Sequence, residues 1–195
     1  MTTVSSLKNI HKKGLFGDYE GKKEDSLIGI KEIKNLLIVQ VAQYKNSSYQ
    51  AKEISIDGLS LPEEALKISC NDGTRILWCG PKNWLLISRN KDLLKNIKKI
   101  VSEKDFAVTD LSHSRTIIEI EGENSKEILK KGCPFNFNEL KKDNSVNSVF
   151  NGIAITVDMI EENPNIIRVF ALRSFGESLY HSITDACLEF GYRGI

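Results

Sequence analysis

The chain lacks the signatures by which most enzymes announce themselves. No G-x-G-x-x-G, Walker loop, H-E-x-x-H or G-x-S-x-G occurs in its 195 residues, so dinucleotide, P-loop, zincin and hydrolase chemistries have no motif to rest on. The four cysteines, Cys70, Cys79, Cys133 and Cys187, are far apart, with no C-x-x-C pair and no histidine at metal-finger spacing. That argues against a zinc site and for buried, reduced thiols. Long apolar runs are absent too: Leu36 to Val39 and Trp84 to Ile87 are far shorter than the roughly 20 residues of a membrane span. Charge of one sign is missing, with 27 Lys+Arg against 26 Asp+Glu and a net charge of +1, so no global field would hold a nucleic acid backbone. The amino terminus interleaves Lys8, Lys12 and Lys13 with isolated apolar residues and has no signal-peptide core, which leads to the expectation of a cytoplasmic protein.

What is present is a globular composition, 41% hydrophobic and 27% charged, enough for one large or two small cores. Residues 1–25 are polar and punctuated by Gly14, Gly17 and Gly21. They form an arm, either a loose terminus or a segment ordered against a partner through Leu15 and Phe16. A first half, 26–111, begins with one or two strands over Leu27 to Tyr44. Asn46-Ser47-Ser48 then reads as a helix start, with Ala51, Ile54 and Ile56 on the apolar face and a stop at Asp57-Gly58. Thr74 to Cys79 and Trp84 to Ser88, joined by Gly80-Pro81-Lys82-Asn83, make a hairpin. Leu93, Leu94, Ile97, Ile100 and Val101 at helical spacing give an amphipathic helix over Asp92 to Ser102, and Phe106 to Leu111 closes the half as a strand.

Asp110-Leu111-Ser112-His113-Ser114-Arg115 is a polar joint between β-rich runs, and beyond it the element order recurs over 112–195. Strand Thr116 to Glu121 precedes helix Ser125 to Lys131, which ends at Gly132 before Pro134; Glu139 to Ser148 is a polar segment. A second hairpin pairs Gly152 to Ile160 with Ile166 to Leu172. The last helix, Phe175 to Phe190, is opened by a capping box of Ser174 and Glu177 and stopped at Gly191. A closing strand is missing or reduced to Tyr192 to Ile195. The order predicts an α+β protein of two ferredoxin-like βαββα units with antiparallel or mixed sheets. Gly122 and Gly132 are expected at positive φ.

Three constellations could carry chemistry and are read structurally. Asp110, Ser112 and His113 have the parts of a hydrolase triad, but neighbours on an extended chain point to opposite faces. Cys133 follows a helix C-terminus, the wrong dipole sign to activate a thiol. Arg173 beside a helix start is a weak anion signal. No catalytic, cofactor-binding or metal-binding residue is assigned. Trp78 and Trp84 flank the first hairpin turn as core or interface anchors.

Four stretches, in order along the chain, carry a family resemblance. Leu77-Trp78-Cys79-Gly80-Pro81-Lys82-Asn83-Trp84-Leu85-Leu86, Asp110-Leu111-Ser112-His113-Ser114-Arg115, Leu129 to Pro134, and Arg173-Ser174-Phe175-Gly176-Glu177-Ser178-Leu179 resemble segments of the gamma subunit of heterotetrameric sarcosine oxidase. Asn136 stands where an Asp is expected, and Tyr180 where Trp is common. The resemblance implies an aminomethyltransferase folate-binding-like fold, shortened. By the same resemblance, the further β-barrel domain of full aminomethyltransferases is expected to be missing, since 195 residues leave no room for it. So is their carboxylate pair, because Asn151 to Thr156 offers no acid before Asp158.

By that resemblance the chain is an accessory, non-catalytic subunit with no cofactor of its own, in a cytoplasmic complex of alpha, beta, gamma and delta chains. The complex would carry FAD, FMN, NAD, tetrahydrofolate and zinc on the other subunits, and would demethylate sarcosine oxidatively to glycine, hydrogen peroxide and 5,10-methylenetetrahydrofolate. Competing readings are a stand-alone folate-binding protein of the aminomethyltransferase-like superfamily and an unrelated ferredoxin-like regulatory module. If the chain is an assembly subunit, aromatic and arginine anchors should lie on its surface, and the candidates are Phe16, Trp84, Arg115 and Arg173.

Overall fold

A computed structural model describes residues 5–195. Its strands and helices are β1 (Gly14–Phe16), β2 (Ile28–Glu32), β3 (Leu37–Gln43), β4 (Ser55–Ile56), β5 (Leu59–Ser60), β6 (Ile68–Cys70), β7 (Thr74–Gly80), β8 (Asn83–Ser88), α1 (Leu93–Ile100) and β9 (Phe106–Asp110). There follow β10 (Arg115–Glu121), α2 (Ser125–Lys130), β11 (Ser145–Phe150), β12 (Ile153–Glu161), β13 (Ile166–Leu172), α3 (Gly176–Cys187) and β14 (Tyr192–Gly194). Contacts divide the chain into two compact units, one of residues 35–113 with 143–146, the other of the remaining described residues.

The unit centred on 35–113 holds a five-stranded sheet in the order β6-β7-β8-β3-β9, all neighbours antiparallel. The core order β7-β8-β3-β9 is the split arrangement expected of a ferredoxin-like half. One element differs. The helix expected after Asn46 is a single 3-10 turn, Ala51–Glu53, followed by the small β4–β5 hairpin. The cause is Asp57-Gly58, whose φ values of 54° and 77° make a tight two-residue turn between strands. The dipeptide expected to stop a helix turns a hairpin instead. Leu93 and Ile97 of α1 pack on Val39, Val41, Ile76, Leu86 and Phe106, while Ile100, expected on the apolar face, is exposed.

The other unit holds a seven-stranded sheet, β1-β14-β2-β10-β13-β12-β11. Strands β10, β12, β13 and β14 with α2 and α3 supply the second ferredoxin-like half. The closing strand is present but reduced to the three residues of β14. It does not pair with β10, because β2 lies between them, parallel to β14 and antiparallel to β10. Ile28–Glu32 thus belongs by its hydrogen bonds to the sheet of the later half, although 26–111 is the stretch to which the sequence boundaries assign it. Segment 139–148, expected to be a polar segment, contains the start of edge strand β11. It turns into β12 through Asn151-Gly152 at φ 48° and 84°, again a hairpin dipeptide.

Residues 1–4 of the arm lie outside the described residues, and its described part, 5–25, packs on its own chain. Leu7 is fully buried, β1 pairs with β14, and Phe16 stacks on Tyr192 at 5.1 Å between ring centroids. Ser5 and Ser6 hydroxyls donate to the Glu32 carboxylate, as does the Ser6 N–H at 3.0 Å. Burial raises the Glu32 pKa, but these donors and Lys34 outweigh it and hold the group below its ordinary value.

Candidate subunit interface

Arg115 begins β10, and its register partner across the sheet is Leu172, the last residue of β13. One residue on, the Arg173 N–H donates to the Ser114 carbonyl at 2.9 Å. Two arginines 58 positions apart in sequence are therefore brought to one end of the sheet. Both are half-buried, and between them Leu172 and Phe175 are 45% and 47% exposed. Guanidinium groups beside uncovered aliphatic and aromatic side chains make the composition of a protein interface hot spot.

The chain turns here through a 3-10 turn at Arg173–Phe175 before α3 starts, and Phe175 is the N-cap, without a side-chain capping bond. The expected capping box of Ser174 and Glu177 is thus not made, because Ser174 lies inside the turn and not at its boundary. Gly176 allows the close approach that seats α3: a Cβ there would come within 3.3 Å of Ser6 Cβ and 3.5 Å of Thr116 Cβ.

The other expected anchors separate. Phe16 lies on β1, at the opposite edge of the sheet order from β11, half-buried against Tyr192. Trp84 takes the structural of its two roles: it is 2% exposed in the core of the 35–113 unit, and its indole N–H donates to the Pro62 carbonyl at 2.7 Å.

A row of charges also crosses four adjacent strands. Asp158, Arg168, Glu119 and Lys31 are directly opposite one another on β12, β13, β10 and β2, so their side chains share a face. Lys31 Nζ lies 2.8 Å from one Glu119 oxygen and Arg168 Nε 2.7 Å from the other. Burial raises the Glu119 pKa, yet the two cations outweigh it and the carboxylate is held ionised below its usual range. Each Glu119 oxygen thus faces one cation, the arrangement of a structural ion-pair row. Sequence reading missed this row except for Asp158; only strand register reveals it.

The remaining chemical candidates resolve into structure. The Asp110 carboxylate accepts the Ser112 N–H at 2.9 Å, and Ser112 Oγ accepts the Ile38 N–H at 3.0 Å. The triad-like residues therefore form an Asx-type turn. The Cys133 thiol donates to Ser148 Oγ at 3.1 Å and is buried, and burial pushes the Cys187 thiol up to about 12. Asn136 donates its amide to Glu139 at 2.8 Å. Tyr180 is an interior residue whose hydroxyl meets His11 Nδ1 at 3.0 Å, its pKa pushed up to about 12 by burial. Gly122 has φ 128° as expected, whereas Gly132 is not at positive φ. Its constraint is space, since a Cβ would meet Asn151 Oδ1 at 2.7 Å and Phe150 Cε2 at 2.9 Å. Among the described residues, no group of three or more His, Cys, Asp or Glu could hold a metal ion, and no helix is long and apolar enough to cross a membrane.

The fold has close counterparts. It superposes on a chain of heterotetrameric sarcosine oxidase from Corynebacterium sp. U-96, in complex with pyrrole 2-carboxylate, with TM-score 0.78 and 23% identity over 86% of this chain and 87% of that one. Glycine cleavage system aminomethyltransferase T from Bartonella henselae aligns with TM-score 0.60 and 11% identity, covering 82% of this chain and 46% of that chain. In sequence, sarcosine oxidase subunit gamma of Corynebacterium sp. (strain U-96) is 27% identical over 137 residues, 68% of this chain and 66% of that protein. The corresponding subunit of Arthrobacter sp is 27% identical over 107 residues, 54% of this chain and 53% of that protein. The matched stretches thus span about two thirds or less of the relatives' own length. The model of the sarcosine oxidase, gamma subunit family matches residues 43–189, well over half of the sequence, and the chain belongs to that family.

Proposed function

We propose that this chain is the accessory, non-catalytic gamma subunit of a cytoplasmic heterotetrameric sarcosine oxidase. Its complex would convert sarcosine to glycine, hydrogen peroxide and 5,10-methylenetetrahydrofolate. FAD, FMN, NAD, tetrahydrofolate and zinc reside on the alpha, beta and delta partners, and this chain contributes packing surface. The observation that carries the reading is the family match across residues 43–189. The fates of the chemical candidates support it: the triad-like residues are spent on a turn, both Glu119 oxygens on an ion-pair row, and the buried thiols on packing. A stand-alone folate protein would need a carboxylate facing a pocket, whereas Asp158 is fully buried.

The Arg115, Leu172, Arg173 and Phe175 cluster is the contact surface we assign to the larger partners, with Phe16 as a secondary anchor. Affinity purification of the tagged chain from native extract, followed by an absorption spectrum, tests the assignment. Flavin should arrive only together with partner chains. Flavin bound to the isolated chain, or recovery of the chain alone from cells that make the complex, would overturn it.

A further inference from the structure

Strand β9 is the outermost strand of the five-stranded sheet, and its hydrogen-bonding pattern is determined. Tyr44 N–H donates to Asp105 O and Leu111 N–H to Ile38 O, each at 2.8 Å. In the register with β3, the odd-numbered residues of β9 therefore direct their backbone groups at β3, and Phe106, Val108 and Asp110 direct theirs outward. Phe106 N–H is already spent on the Ser102 carbonyl at 2.9 Å. Five outward groups remain, with no partner among the described residues: Phe106 C=O, Val108 N–H, Val108 C=O, Asp110 N–H and Asp110 C=O. Beside this edge runs a groove of about 350 Å³, lined by Tyr44, Lys98, Val101, Glu103, Phe106 and Val108 among others.

Four of these groups, all but Asp110 C=O, are symmetric about Val108, and the geometry points to a second copy of this chain as their partner, β9 pairing antiparallel with β9 about a two-fold axis through Val108. In that register Val108 faces Val108 and the two exchange both N–H···O bonds. Asp110 faces Phe106, so each Asp110 N–H reaches a Phe106 carbonyl. Four hydrogen bonds form, and Asp110 C=O alone is left to solvent, because the Phe106 N–H opposite it is already held by Ser102. Ala107 faces Thr109, two small side chains without conflict, and the Val108 pair is a favourable β-branched contact.

Charge agrees as well. The basic last turn of α1 carries Lys98 and Lys99, and Lys98 lines the groove together with Phe106, the residue that Asp110 of the other copy faces. The other charged side chains near the edge, Lys104, Glu103 and Asp105, balance to within one charge, and a mixed surface of this kind suits its own two-fold image better than a strongly acidic or basic partner. Because the strand is only five residues long, the association is weak and concentration-dependent.

Sedimentation of the purified full chain across a concentration series tests this without any partner subunit, so its outcome is independent of the sarcosine oxidase assignment. The average mass should climb from that of one chain toward that of two. Val108→Pro removes an outward N–H at an edge position where proline costs the sheet no ladder bond; it should stay monomeric with an unchanged thermal midpoint, and Lys98→Glu should raise the dimer dissociation constant several-fold. Hydrogen exchange on the unmodified chain gives a readout that needs no variant: Val108 and Asp110 amides should slow as concentration rises, while Ala107 and Thr109, already bonded to β3, should not change. A chain monomeric at all concentrations would overturn the proposal, as would Val108 and Asp110 amides indifferent to concentration or a Val108→Pro variant that still dimerises. A Val108→Pro variant that loses only its binding to the other subunits would instead assign the edge to a strand of another chain.

Discussion

The two units share one strand plan and differ in how they were completed. In the 35–113 unit the plan is nearly bare: four antiparallel strands in split order, one added edge strand, one helix, and a core closed around Trp84. In the other unit the plan has been opened and filled. β2 has entered between the first and last strands, β1 has been laid on β14, and the arm's serines are tied to Glu32. The bare unit is held chiefly by apolar packing, and the filled one adds a polar row across four strands. An inserted strand needs its register specified, and a row of alternating charges does so: a slip of one residue would carry each charge to the other face.

The largest effect that would test this contrast lies in the bare unit. Trp84→Ala removes a buried indole and leaves the Pro62 carbonyl without its donor, so thermal or denaturant unfolding should show a loss of about 3–5 kcal/mol. A loss near zero would mean that the indole is not the centre of that core.

In the filled unit the corresponding test is electrostatic. Arg168→Met keeps much of the side-chain volume but strips one of the two cations from Glu119, and should cost about 3 kcal/mol. The pH dependence has a definite sign. Glu119 and Glu32 have folded pKa values below their ordinary ones, so their contribution is present above the unfolded carboxylate pKa and is lost as pH falls through the folded values. Stability measured from pH 7 downward should therefore fall off in acid, and Glu119→Gln should flatten that fall. An unchanged acid limb in Glu119→Gln would remove the row from the account.

Arg115→Ala and Arg173→Ala should behave differently from both. Each should weaken assembly with the partner chains by about 2 kcal/mol if it is a hot spot, with little change in the midpoint of the isolated chain and nearly unchanged specific activity in whatever complex forms. Strongly reduced turnover in a fully assembled variant would overturn the non-catalytic reading.

Much of the bare unit was legible in the sequence because its signals are local. Gly80-Pro81 between two β-rich runs marks the β7–β8 hairpin, and the spacing of Leu93 and Ile97 marks α1. The filled unit shows what local pattern cannot carry. Nothing in Ile28 to Glu32 says that it will pair with β10 and β14, more than 80 residues away in the sequence, and the meeting of Arg115 with Arg173 follows only from the β10–β13 register. Asp57-Gly58 and Asn151-Gly152 are hairpin dipeptides, and a Gly after a polar residue also suits a helix stop, so local composition alone does not separate the two. β11 is an edge strand with alternating burial, so its polar half hid its apolar half. The capping box failed for a different reason: Ser174 and Glu177 have the right spacing, but the 3-10 turn moves the helix start past Ser174.

The smallest expected effect separates the units at the level of single glycines. Gly122 follows β10 in the filled unit with φ 128°, where an added Cβ would sit 3.5 Å from Ile28 Cα of the inserted strand. Gly58 closes the β4–β5 turn of the bare unit with φ 77° and nothing within 4 Å of its missing Cβ. Both positions disfavour L-residues, but only that of Gly58 is near the left-handed helical region that Asn tolerates. Gly58→Asn should therefore change stability by less than about 0.5 kcal/mol. Gly122→Asn, at an angle that Asn does not relieve, should lose about 1–2 kcal/mol, as should Gly122→Ala. Comparing Asn with Ala at each site isolates the backbone contribution. A rescue by Asn at Gly122 would show that the residue had relaxed to a left-handed turn, and that the entry of β2 beside β10 does not depend on the extended positive-φ geometry found there.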